Sequence, residues 1–130
     1  MFNRFILMFS MLFTHSSYCV DVSITQSCVK QLNRFAAPAC EGVTSKKELS
    51  LILKCANKLD PRLASACARI KDEKHIKFVV KCASQMNRFS APACIGVTKE
   101  EDIDLIVKCS KGLHPRSAVA CRGINKEKKK

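Results

Sequence analysis

Cys28 to Cys40 reads CVKQLNRFAAPAC, and Cys82 to Cys94, 54 residues later, reads CASQMNRFSAPAC. Between and after them stand CANKLDPRLASAC (Cys55 to Cys67) and CSKGLHPRSAVAC (Cys109 to Cys121). From Cys28 the cysteine intervals run 12, 15, 12, 15, 12, 15, 12, so the chain repeats with a period of 27 residues in four units, the last one truncated. The first and third units match closely, as do the second and fourth, which reads as a duplicated pair. A fixed period in this range marks stacked supersecondary units that bury their apolar faces on one another.

The chain holds 130 residues, nine cysteines and a formal net charge of +12. Arg4 precedes a nine-residue apolar run, FILMFSMLF (Phe5 to Phe13), and THSSYC follows it. This pattern predicts a secretory leader over residues 1–19, cut after Cys19. The run is about half of the roughly 20 residues a membrane span needs. Bulky Tyr18 argues against lipid attachment at Cys19. Residues 20–124 are read as one helical cysteine-rich domain made of two 54-residue duplicates, and residues 125–130 (NKEKKK) as a basic tail.

Losing Cys19 leaves eight cysteines, an even number in a small exported chain, and predicts four disulfides. Structural zinc brings ligands in close pairs, whereas no two of these eight lie nearer than 12 residues. No metal or other cofactor is expected.

Within each unit the apolar residues fall at helical spacing: Leu49, Ile52, Leu53, Ala56 and Leu59, then Ile76, Val79, Val80, Ala83 and Met86, then Ile103, Ile106, Val107, Ser110 and Leu113. Thr44, Asp72 and Thr98 suit N-caps, and Pro61 and Pro115 suit first helical positions. Each unit is therefore expected to supply a longer helix of about 14 residues and a shorter one of about 8, without sheet. The predicted fold is all-α, a disulfide-stapled array of four helical hairpins.

Pairing follows from where the turns lie. Cys55 and Cys67 stand six residues either side of Pro61, as do Cys109 and Cys121 around Pro115. In an antiparallel helix pair such residues are level, because their rises cancel, and a bridge needs Cα atoms within about 7 Å. Partners 15 apart, such as Cys40 with Cys55, would be offset by about 10 Å. The expected bridges are Cys28–Cys40, Cys55–Cys67, Cys82–Cys94 and Cys109–Cys121.

Taking Arg4 away with the leader changes +12 to +11. A balance this basic favours anionic partners. Most lysines fall on the polar sides of amphipathic helices, where charge is ordinary solvation. Arg34, Arg62, Arg88 and Arg116 differ because they recur at the turns and would line one edge of a stack. With Lys128, Lys129 and Lys130 they are the candidate basic binding surface, set against the favoured reading that the arginines cap helix ends or simply reflect duplication. Phe35 and Phe89, at equivalent positions, are expected to anchor the turns in the core.

Few aromatics and no nucleic-acid reading motif disfavour nucleic acid as a partner. His75 and His114 stand alone, no nucleophile motif is present, and Asp60 and His114 share one position before proline, which suggests capping; an enzyme is not expected. The overall profile resembles secreted venom, salivary and defence proteins as a class. It implies a secreted, non-enzymatic, toxin-like effector that binds an extracellular protein or an anionic surface. The competing readings are a membrane-active defence protein and a structural extracellular component. Interfacial helices present long apolar faces to lipid, and here those faces are needed for stacking.

Overall fold

A computed structural model describes residues 16–125, with side chains from Val22 onward. Among the described residues the chain is all-helical, with no strand. The α-helices are α1 (Ser16–Gln31), α2 (Lys46–Ala56), α3 (Ile76–Ala83) and α4 (Glu100–Lys111). Each is followed by 3₁₀ structure: η1 (Ala37–Cys40), η2 (Pro61–Cys67), η3 (Glu73–His75, leading into α3), η4 (Ala91–Cys94) and η5 (Pro115–Cys121). Most of the expected leader lies outside the described residues, and its last four positions form the first turn of α1.

Apart from α1, which runs 16 residues, both partners are more modest than the spacing predicts. The helices α2, α3 and α4 run 11, 8 and 12 residues, and the second members are 3₁₀ turns of four or seven residues, not α-helices of about eight. The cause is local. A proline opens each of these segments at its first or second position, and the residue after the closing cysteine is already extended, with φ near −57° and ψ of 125–143°. Too little chain remains for an α-helix to form, and 3₁₀ geometry is used in short pieces.

All four bridges are those expected: Cys28–Cys40, Cys55–Cys67 and Cys82–Cys94 with Cα atoms 5.8 Å apart, and Cys109–Cys121 at 6.0 Å. Each ties an α-helix to the end of the next main 3₁₀ segment. Four disulfides point to an oxidising, extracellular environment. No helix among the described residues is long and apolar enough to cross a membrane.

Neighbouring helices touch in chain order, α1 on α2, α2 on α3, α3 on α4, and so do η1, η2, η4 and η5. The core fills the space between these two rows. Ile52, Val79 and Ile106 occupy one offset in successive units and are at most 2% exposed. Seven of the eight bridged cysteines are buried beside them. Fully burying one such aliphatic side chain contributes about 1.5–3 kcal/mol.

A turn with a left-handed residue follows each bridge. Gly42, Gly96 and Gly123 have φ of 75°, 80° and 78° at one offset, and Arg69 takes the same offset at φ 62°. In the glycine turns the Val43, Val97 and Ile124 N–H groups donate to the carbonyls of Cys40, Cys94 and Cys121. Such a type II turn demands positive φ at its third residue, which is why glycine stands there. Arg69 bears that strain and reaches across to Glu41 at 3.3 Å.

Two of the three expected caps shift by one residue. Ser45, not Thr44, caps α2 by accepting from the Glu48 N–H, while the N–H and hydroxyl of Thr44 donate to the Glu48 carboxylate. Lys99, not Thr98, is the N-cap of α4 and makes no side-chain bond; Glu100, Glu101 and Asp102 in the first turn complement the helix dipole instead. Asp72 accepts from the Lys74 N–H and so caps η3, whose chain continues as α3. Ion pairs tie successive units. Lys54–Glu73 and Lys81–Glu100 are the same pair displaced by 27 residues, and Lys71–Glu48 joins the first unit to the second.

Candidate functional site

The site begins with one polar residue five positions after the first cysteine of each unit. There Asn33, Asp60, Asn87 and His114 accept a hydrogen bond from the N–H two residues on, at 2.9, 2.9, 2.9 and 3.3 Å. The N–H groups so held belong to Phe35, Arg62, Phe89 and Arg116. Asp60 and His114 are thus turn caps, as their shared position before proline suggests.

The inner sides of the 3₁₀ segments are made of alanine: Ala39, Ala64, Ala66, Ala91, Ala93 and Ala118 are all 0% exposed. Only small side chains fit where two backbones are held this close by a bridge. A large residue at the turn must therefore point outward, and it does. Phe35 is 43% and Phe89 39% exposed, which corrects their expected role as core anchors.

Outward placement brings the four arginines onto the two rings. The guanidinium carbons of Arg34 and Arg62 stand 4.9 and 5.9 Å from the Phe35 centroid, and those of Arg88 and Arg116 stand 4.5 and 4.9 Å from the Phe89 centroid. Each ring thus carries one guanidinium from its own unit and one from the next. At exposed sites such contacts contribute about 0.5–1 kcal/mol each. Their larger effect here is to hold four always-charged, fork-shaped donors in a row. All four arginines are exposed, two meeting at Phe35 and two at Phe89. Lys128, Lys129 and Lys130 lie outside the described residues.

Three positions beyond each outward residue stand Pro38, Ser65, Pro92 and Val119. Arg62 with Ser65 in η2, and Arg116 with Val119 in η5, are three apart on one 3₁₀ segment, where such positions eclipse and share a face. Phe35, Pro38 and Arg62 meet Arg88, Phe89 and Pro92 around a groove of about 420 Å³, with Ser65 also in its lining. No carboxylate lines it. Ser65 Oγ is hidden and has no hydrogen-bond partner. Sequence reasoning found the arginines but missed the rings and prolines. The missed signal was the alternation Phe, Arg, Phe, Arg at one offset, visible once the units are aligned.

Other charged groups are differently employed. Lys71 holds the Glu48 carboxyl below its ordinary range, helped by Thr44, and the Lys74 N–H does the same for Asp72. Lys81 and Glu100 move apart, the lysine raised and the glutamate lowered, by their mutual hydrogen bond and charge. The eight cysteines are consumed in bridges. Among the described residues no three metal-ligating side chains gather. Compared with models of known protein families, with curated proteins and with solved structures, the chain matches none.

Proposed function

We propose that the chain is a secreted, non-enzymatic, cationic effector, toxin-like in build, that binds an extracellular protein through its arginine and phenylalanine edge. In this reading the four 27-residue units act as an array of stapled helical hairpins whose task is to hold that edge in fixed shape. One observation carries the reading: Arg34, Arg62, Arg88 and Arg116 lie over two exposed rings and take no part in the ion pairs that tie the units together. Preorganised guanidinium groups lose little freedom on meeting a carboxylate, which favours affinity.

The membrane-active reading has less support. Ile52, Val79 and Ile106, the most apolar stripe, are enclosed and pinned by the adjacent bridges. The experiment is calorimetric titration of oxidised residues 20–130 with a polyglutamate peptide at physiological salt, alongside dye release from anionic vesicles. Saturable binding that the quadruple Arg34→Gln, Arg62→Gln, Arg88→Gln, Arg116→Gln variant loses, with vesicles left intact, is the expected result. Vesicle leakage that persists in that variant would replace this reading with the membrane-active one.

A further inference from the structure

We propose that the groove between the two phenylalanines takes an extended acidic peptide in which carboxylate side chains alternate with aromatic or aliphatic ones; this rests on the binding role proposed above. The groove has two kinds of wall. Arg62 and Arg88 supply guanidinium forks, which match carboxylates with two parallel hydrogen bonds. Phe35 with Pro38, and Phe89 with Pro92, supply apolar surface that charge alone does not use. Phe35 and Arg62 occupy the same offset in successive units, so cation and ring alternate along the edge and call for a ligand that alternates in reply.

The same lining argues against a sulfated sugar. Sugar hydroxyls need acceptors as well as donors, and the groove offers no carboxylate or amide side chain. Pro38 and Pro92 also lack backbone N–H groups. The hidden Ser65 hydroxyl, still without a partner, is the one further polar group there. A peptide satisfies its own backbone in part through water and needs from this surface only charge and apolar contact.

Three probes of equal charge separate the alternatives on oxidised residues 20–130: a peptide alternating glutamate with phenylalanine, a glutamate-glycine peptide, and a heparin oligosaccharide. The alternating peptide is expected to bind about tenfold tighter than the other two, the scale of adding contacts to two rings. Phe35→Ala with Phe89→Ala should remove that preference while weaker, charge-driven binding remains. Arg62→Gln with Arg88→Gln should weaken binding of every probe. All four side chains are exposed, so each variant should lose only its guanidinium–ring contacts and still unfold in one cooperative transition above the assay temperature, which reports intact folding. Equal affinity for all three probes, or tightest binding of heparin, would overturn this proposal while leaving the basic edge as the binding surface. Binding that neither pair of substitutions alters would overturn both.

Discussion

Gly42 and Gly96 offer a perturbation whose magnitude can be worked out from torsion alone. Each sits at positive φ, and a Cβ built on Gly96 meets nothing within 4 Å, while one on Gly42 makes only ordinary contacts with Arg69, at 3.6 and 3.8 Å. Replacing either with alanine therefore adds no clash. The left-handed region costs a Cβ-bearing residue about 1–2 kcal/mol, and the loss of unfolded-chain freedom returns about 0.4–1 kcal/mol. Each substitution should destabilise by about 1 kcal/mol, or about 4 °C in thermal midpoint for a domain near this size. The turns belong to different units, so the double variant should lose about the sum, about 2 kcal/mol. Thermal unfolding of the oxidised chain, followed by circular dichroism, reads this directly. If either alanine left the midpoint unchanged, or Gly42→Ala cost several times more than Gly96→Ala, the turn geometry and the torsional argument would both be wrong.

Other consequences are as direct. Phe89→Ala should cost about 1–2 kcal/mol, the two guanidinium contacts of a ring that is 39% exposed, whereas Ile106→Ala, at 1% exposure, should cost about 2–5 kcal/mol in denaturant unfolding. Removing the Cys55–Cys67 bridge by double alanine substitution should cost about 3 kcal/mol, the chain-entropy value for a loop of this size. The carboxyls of Glu48, Asp72 and Glu100 are all held below their ordinary values. Their contribution is present above the unfolded values and lost as pH falls through the folded ones, so the midpoint should drop below about pH 4.5, the ordinary glutamate value. Lys81 is raised, so its contribution fades only as pH rises beyond 10.5, and Glu48→Gln should blunt the acid side alone.

What sequence spacing made legible was whatever depends on counting. The 12-residue interval, centred on proline in two units, places each pair of cysteines level, and the bridges form there. Helical periodicity likewise put Ile52, Val79 and Ile106 in the core. What counting could not deliver was the width of the gap. A bridge at 5.8 Å leaves room for alanine on the inner side of each turn and none for a ring, so Phe35 and Phe89 face outward despite their apolar character. The cap of α2 was missed by one residue for a related reason. Both Thr44 and Ser45 can cap, and the choice falls to whichever hydroxyl meets the Glu48 N–H after the turn at Gly42 has set the direction of the chain.

The central claim is that oxidation fixes four local bridges, each 12 residues long, and that these hold the edge in shape. Tryptic digestion without reduction tests it cleanly, because a lysine or arginine lies between every two consecutive cysteines from Cys28 to Cys121. Mass spectrometry should then find Cys28 linked to Cys40, Cys55 to Cys67, Cys82 to Cys94 and Cys109 to Cys121, with no free thiol among these eight. Peptides joined across the 15-residue intervals, such as Cys40 with Cys55, or unmodified thiols at these positions, would contradict the account.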